Sequence, residues 1–326
     1  MYMTRCIFDA FKVDTLNPPY DTGIARIYYP GQFGDTPAER NTGAVPVDET
    51  LAPCPVLILL PGMNTDPSCY RWLAELLAPF GIATVTYQLI TSEGPGVITA
   101  TPGIDADALT PEQFGSRLSA IAVPSILSML ERVNAQGTLA GKLDLGRLAF
   151  GGHSAGGTAA LLNARTSWFP ALKAVFSYGA HSGASTMLGW PAETVLPIGS
   201  DAPVLLIGGE QDGCIAHSAH CYGSDNPSTT ARLKQTFDEA LPDRDGSNTL
   251  LLLKDANHFS ICAPDDTTCG RGFIDFPVTS ERARHVIGQA ICLFLRCFLN
   301  GDEHARRAYR ELDGIDRMAT CTLLRK

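Results

Sequence analysis

The amino-acid sequence predicts an α/β fold with a mostly parallel central sheet flanked by helices. Short runs rich in aliphatic and β-branched residues alternate with helical patterns, as in chains built from strand–helix–strand units. Most of these runs are continuously apolar, which is typical of strands that are covered on both faces. Because the 326 residues contain no linker or repeat, we expect a single domain over residues 1–326.

The pattern of apolar residues predicts two long helices and seven strands. Apolar residues spaced by three and four between Phe114 and Val133 predict a helix kinked at Pro124. A wide apolar face predicts a second helix from Thr279 to Leu299. The predicted strands are Ile24–Tyr29, Val56–Leu60, Ile82–Tyr87, Arg147–Gly151, Ala174–Tyr178, Val204–Gly208 and Thr249–Leu253.

Residues 30–55 and 88–110 are interpreted as long loops, which tend to be functional in compact domains. Residues 180–203, between the fifth and sixth predicted strands, are too few for a separate cap domain. We therefore expect a fairly open cleft.

Charge and hydropathy argue against two classes of partner. The formal net charge is -9, and the longest Lys/Arg cluster is the pair Arg306–Arg307, so nucleic acid is not an expected partner. No apolar run approaches the roughly 20 residues that cross a bilayer, so no transmembrane segment is expected. The oligomeric state is left open.

The ten cysteines bear on the cellular compartment. The first residues lack the apolar segment of a secretory signal, which predicts a cytoplasmic protein. Two short-range pairs in polar segments, Cys214/Cys221 and Cys262/Cys269, are equally compatible with disulfides and with free thiols. Disulfides there would instead favour a secreted or periplasmic protein whose precursor had been trimmed.

One motif predicts a nucleophile. Residues Gly152 to Gly156 match G-x-S-x-G, in which a serine occupies a tight turn between a strand and a helix. An apolar run precedes the motif and a credible helix follows it, as that turn requires. Ser154 is thus the predicted nucleophile, and the alternative is a glycine-rich turn with an incidental serine.

A serine hydroxyl needs a base to take its proton, and the base needs an acid to orient it. These groups follow in the order Ser, Asp/Glu, His when they lie at successive strand ends. Asp212 follows the sixth predicted strand and His258 follows the seventh. Glu210 is the competing acid, but it lies nearer its strand.

The developing oxyanion needs two backbone N–H donors. Ala155 follows the nucleophile, and Met63 follows a Pro-Gly turn after the second predicted strand, so these amides are the expected donors. His153 occupies a variable position of the motif and is expected to support the turn. His181 is a candidate for lining the cleft. The grouping of Cys214, His217, His220 and Cys221 is better explained by a helical turn or loop staple than by a zinc site, so no metal is expected.

These motifs make the chain similar to the lid-less α/β-hydrolases, a group that includes cutinase-like polyesterases, platelet-activating-factor acetylhydrolases, chlorophyllases and dienelactone hydrolase relatives. The resemblance covers roughly residues 20 to 300 by the order and spacing of the motifs. The segments that carry it are Ile24–Pro30, Leu60–Met63, Gly152–Gly157, Gly209–Asp212 and Asn257–Phe259.

The resemblance implies an α/β-hydrolase fold without a cap domain, with Ser154, Asp212 and His258 as the catalytic triad. It also implies Met63 and Ala155 as oxyanion amides. Met63 replaces the aromatic residue that often forms one side of the polymer cleft in this group. Trp190 is a candidate for an aromatic wall, and a packed loop residue is the equal alternative.

The predicted function is hydrolysis of small-molecule or lipid-like carboxylic esters through an acyl-enzyme, which requires no cofactor. The first alternative is a lipase or phospholipid acylhydrolase for longer acyl chains, with the cleft lined by Val97, Ile98 and Ile104. Polyester hydrolysis is a further alternative. A hydrolase-fold protein that binds a ligand without turnover is the remaining one, and the complete triad argues against it.

Overall fold

A computed structural model describes residues 2–265, 274, 280–311 and 320–326. The strands in these ranges are β1 (Tyr2–Lys12), β2 (Thr22–Gln32), β3 (Cys54–Leu60), β4 (Ala83–Gly94), β5 (Val97–Thr101), β6 (Leu143–His153), β7 (Leu172–Tyr178), β8 (Val204–Gly209), β9 (Thr249–Leu253) and β10 (Thr320–Arg325). The α-helices are α1 (Pro37–Thr42), α2 (Arg71–Leu77), α3 (Ala122–Ala135), α4 (Ala155–Leu162), α5 (Gly213–His217), α6 (Ala231–Gln235), α7 (Glu281–Phe298) and α8 (Glu303–Glu311). Short 3-10 turns and one π-helical turn (Thr236–Ala240) complete the connections.

The strands form one sheet in the order β1-β2-β4-β3-β6-β7-β8-β9-β10, and β5 pairs with β4 outside this path. Neighbours from β4 through β9 run parallel. Strands β1, β2 and β10 pair antiparallel at the two edges. The predicted α/β class and the mostly parallel sheet are confirmed.

Two apolar layers cover the sheet. Helices α3 and α4 contribute buried residues to one layer, and α2 and α7 contribute to the other. Helix α7 begins where Ser280 Oγ accepts a hydrogen bond from the Ala283 amide, which satisfies one of the free N–H groups of the first turn. Its wide apolar face then packs against the sheet. No helix in the described ranges is both long enough and apolar enough to cross a membrane.

All seven predicted strands are present, and β9 has the predicted bounds. The prediction of a loop at residues 88–110 is wrong in its first half, because β4 continues to Gly94 and the chain returns as β5. The two strands form a hairpin whose side chains face largely away from the core, so the sequence lacks the apolar run that marked the other strands.

The prediction of a kinked helix from Phe114 is also wrong in its first part. Helix α3 begins only at Ala122, which puts Pro124 in the first turn, where no amide hydrogen is needed. The preceding residues cannot be helical, because Gly115 has a φ of +82° and Ala120 forms a β-bridge with Ile104. For the last predicted helix, Thr279 lies outside the described residues.

Candidate active site

Ser154 lies in a strained turn between β6 and α4. Its φ of 54° and ψ of -127° fall in a region that side-chain-bearing residues rarely adopt. The turn is tight: a Cβ added at Gly152 would lie 2.2 Å from the Gly156 carbonyl oxygen, and one at Gly156 would lie 2.3 Å from the Leu60 carbonyl oxygen. Glycine is therefore required at both positions, and the serine is lifted above the carboxyl end of the sheet.

Asp212 and His258 meet beyond the ends of β8 and β9. Both carboxylate oxygens of Asp212 lie near His258 Nδ1, at 3.0 and 2.9 Å, and both side chains are buried. Asp212 also caps helix α5, because its Oδ1 accepts a hydrogen bond from the Ile215 amide at 2.8 Å. The carboxylate is thus fixed and orients the imidazole with Nδ1 protonated.

A glycine after β7 makes room for this pair. Gly179 has a φ of +58°, and a Cβ there would lie 3.1 Å from both Asp212 Oδ2 and His258 Nδ1. Any larger residue would push the acid and the histidine apart or away from the serine.

Met63 and Ala155 both line the cavity at Ser154. In the part of the chain that the structure describes, neither amide donates to a protein acceptor. The Ala155 amide is the first N–H of helix α4, where the helix dipole favours negative charge. The pair can therefore donate to an oxygen bound above Ser154.

Ser154, His258, Met63, Ala155 and His181 all line one cavity of about 380 Å³. This volume is near the lower end of the range for small-molecule sites. The wall is mixed rather than uniformly apolar. Its remaining residues are Asn64, Thr65, Thr99, His153, Thr158, Gly179, Ala180, Cys214, Ile215, Ser218, Tyr222 and Phe259.

His181 forms a fixed, neutral part of this wall. Its Nδ1 faces the Gly183 amide at 3.0 Å and its Nε2 faces Arg232 Nε at 3.1 Å. Both neighbours are N–H donors, and a neutral imidazole can accept from only one of them. Protonating the ring would remove that last acceptor. Burial, and then the charge of Arg232, lower the pKa of His181 to about 3. His181 is therefore uncharged near neutral pH.

Arg232 is a buried residue that the sequence analysis missed. Its guanidinium donates to the Ile215 carbonyl oxygen and lies 4.7 Å from the centre of the Tyr222 ring. Arg232 thus joins three residues of the cavity wall: His181, Ile215 and Tyr222. No motif surrounds it, and it lies 51 residues from His181, so no sequence signal could have found it.

Other candidate residues lie elsewhere. Trp190 does not line the described cavity: its Nε1 donates to the Leu109 carbonyl oxygen at 2.7 Å, and its ring packs edge-on against Phe114. Glu210 is solvent-exposed.

The cysteine and histidine cluster shows neither a bridge nor a metal site. Cys221 carries a free thiol, so it forms no disulfide with Cys214. No group of three or more metal-binding side chains is found among the described residues. Cys269 lies outside those residues, which leaves the Cys262/Cys269 pair as a sequence expectation.

The chain is an α/β protein in which Ser154, His258, Met63 and Ala155 line one cavity. Ser154 lies on a strained turn, and buried Asp212 contacts His258. No protein-family model matches the chain, and no curated protein matches it either.

Proposed function

We propose that the chain is a serine hydrolase with an α/β-hydrolase fold that cleaves small carboxylic esters through an acyl-enzyme. The observation that carries this proposal is that Ser154 and His258 line the same cavity while buried Asp212 contacts His258 Nδ1. Structural ion pairs also bury aspartate and histidine, but they do not require a neighbouring serine in a strained turn.

The reaction uses each of these groups. His258 Nε2 takes the hydroxyl proton of Ser154 while Oγ attacks the ester carbonyl carbon, and Asp212 stabilises the resulting imidazolium. The amides of Met63 and Ala155 donate to the oxyanion. When the tetrahedral intermediate collapses, His258 returns the proton to the leaving alcohol. A water molecule, deprotonated in the same way, then attacks the acyl-enzyme and releases the acid.

The cavity favours small substrates over long acyl chains. The lipase alternative requires Val97, Ile98 and Ile104 along the cleft, but Val97 and Ile98 are exposed on β5 and Ile104 packs against the core. None of the three borders the described cavity. Trp190, the candidate aromatic wall for a polyester, is held by Leu109 and Phe114.

The test is hydrolysis of p-nitrophenyl esters from acetate to palmitate, combined with labelling by an active-site phosphonate that is read by intact mass. We expect the wild type to take one label and to prefer the short esters, and Ser154→Ala to lose both turnover and label. Ser218→Ala, which removes the other serine of the cavity, should still be labelled.

A folded wild type that is neither active nor labelled would leave ligand binding without turnover as the function. A label that survives in Ser154→Ala and disappears in Ser218→Ala would assign the nucleophile to Ser218 instead.

A further inference from the structure

His153, the residue before the nucleophile, is completely buried and contacts two other parts of the site. Its Nδ1 lies 2.9 Å from the Tyr70 hydroxyl, and its Nε2 lies 2.9 Å from the backbone carbonyl oxygen of His258. The Tyr70 hydroxyl in turn accepts a hydrogen bond from the Gly62 amide at 3.1 Å. A continuous chain of hydrogen bonds therefore joins the turn before Met63 to the loop that carries the catalytic histidine.

The direction of each hydrogen bond follows from its two ends. A carbonyl oxygen can only accept, so His153 must carry a hydrogen on Nε2 to bond the His258 carbonyl. Burial and the neighbouring His258 lower the pKa of His153 well below its ordinary value, which keeps the ring neutral. A neutral ring with Nε2–H can only accept at Nδ1. The Tyr70 hydroxyl must therefore donate to His153 while it accepts from Gly62.

Close packing on several sides holds the His153 ring in place. A Cβ at Gly62 would lie 2.9 Å from His153 Nδ1, so the turn fits against the ring only because it carries a glycine. On other sides the ring packs against Tyr178 and Phe259. Tyr70 and His153 are both fully buried, so each of their polar side-chain atoms depends on a partner within the protein.

We propose that Tyr70 and His153 are positioning residues, which hold the oxyanion amide of Met63 and the catalytic His258 at a fixed separation across the nucleophile turn. The proposal rests on the serine hydrolase function above. The hydrogen bonds of Tyr70 and His153 reach the backbone of Gly62 and of His258. They therefore set the positions of the Met63 amide and the His258 imidazole. A misplacement of about 1 Å in such a group costs on the order of 100-fold in rate.

Tyr70→Phe is the first test, because it removes only the central hydroxyl of the chain. We expect kcat for p-nitrophenyl acetate to fall about 10- to 100-fold while KM changes less than twofold. Binding of a trifluoromethyl ketone, whose addition product carries an oxyanion, should weaken by a similar factor. A loss confined to packing would lower the melting temperature without separating kcat from KM.

Tyr87→Phe is the matched control. Tyr87 is another fully buried tyrosine, whose hydroxyl donates to the Pro102 carbonyl oxygen at 2.6 Å and takes no part in the chain. Equal losses of kcat in the two variants at equal melting temperatures would overturn the proposal. His153→Gln, which keeps an N–H donor towards the His258 carbonyl, should retain more activity than His153→Leu, and it serves if Tyr70→Phe does not fold.

The hydrogen-bond chain has a readout that needs no activity. In protein labelled with 15N-histidine, His153 should show the Nε2–H tautomer at pH 7 and should not titrate down to pH 5. An Nδ1–H tautomer, or titration near pH 6.5, would show that the proposed hydrogen bonds between Tyr70, His153 and His258 are wrong. An inactive wild type with the expected tautomer would instead overturn the hydrolase function and leave the hydrogen-bond chain standing.

Discussion

Two acids lie two residues apart after strand β8, and only one of them contacts the histidine. Asp212 is 1% exposed and reaches His258 with both carboxylate oxygens, whereas the Glu210 side chain is solvent-exposed. Asp212 also accepts from the Ile215 amide, so its position does not depend on the histidine alone. The two acids therefore form a natural pair for comparison.

We expect Asp212→Asn to lower kcat about 10³- to 10⁴-fold. The amide cannot stabilise the imidazolium, and its NH2 group favours the wrong tautomer of His258; the same change in serine proteases costs about 10⁴-fold. Stopped-flow or steady-state hydrolysis of p-nitrophenyl acetate measures the effect. Glu210→Gln should remain within twofold of the wild type, and a comparable loss in that variant would reassign the acid.

For single residues, the sequence was enough to nominate Ser154 and His258, which line the cavity, and Asp212, which contacts His258. Ser154, Asp212 and His258 could be predicted because each of them follows an apolar strand. The small residues beside Ser154 strengthened that prediction.

The roles of Tyr70 and Arg232 could not be predicted, because they depend on partners far along the sequence. Tyr70 contacts His153, 83 residues away, and Arg232 contacts His181, 51 residues away. Side-chain contacts between residues so far apart in the sequence leave no local pattern.

At the scale of the elements, the turn at Ser154 between β6 and α4 depends on a close backbone approach. Helix α4 begins so near the end of β3 that a Cβ at Gly156 would lie 2.3 Å from the Leu60 carbonyl oxygen and 2.4 Å from that of Pro61. These are backbone atoms of a buried strand end, and they cannot rotate away as a side chain can. An added methyl group must therefore move the helix or the strand end.

Gly156→Ala is expected to lower the free energy of unfolding by about 1–3 kcal/mol, because overpacking of this kind forces a backbone shift. We also expect at least a 10-fold loss of kcat, since the Ala155 amide moves with the helix. Denaturant titration and ester hydrolysis measure the two effects. Gly34→Ala provides the control: its Cβ would meet nothing closer than 3.5 Å, so stability should change by less than about 0.5 kcal/mol. Equal effects in both variants would contradict the close-packing account.

The elements that the sequence predicted correctly are those buried on both faces. Strand β9 is entirely buried and was predicted to the residue, because its run of leucines is continuous. Strand β5 was missed because its apolar run is only Val97 and Ile98, and glycine and proline flank the strand on both sides. The spacing of apolar residues between Phe114 and Ile121 matches that of a helix. In the structure, however, this segment forms turns and isolated β-bridges.

At the scale of the whole molecule, two buried neutral histidines link stability to pH. Burial lowers the pKa of His153 well below its ordinary value and that of His181 to about 3. In the unfolded chain both rings return to a pKa near 6.5. Below that pH the unfolded state binds protons that the folded state excludes, so acid favours unfolding. The free energy of unfolding should therefore fall as the pH drops below about 6.5.

The size of this effect follows from linkage. For one such histidine, the free energy of unfolding drops by about 2 kcal/mol between pH 7.5 and pH 5, a window that lies above the ordinary pKa values of carboxyl groups. His181→Gln removes one titrating ring, so the stability lost over this window should shrink by about 2 kcal/mol. Denaturant titrations of the wild type and the variant at the two pH values measure it.

His304→Gln is the control, because His304 is exposed on helix α8. That variant should lose as much stability between pH 7.5 and pH 5 as the wild type. The comparison uses the change with pH within each variant, so a constant packing cost of replacing His181 cancels. If the His181→Gln protein loses as much free energy of unfolding over this pH range as the wild type does, His181 takes up a proton in the folded state. The description of His181 as a neutral residue of the cavity wall would then be wrong.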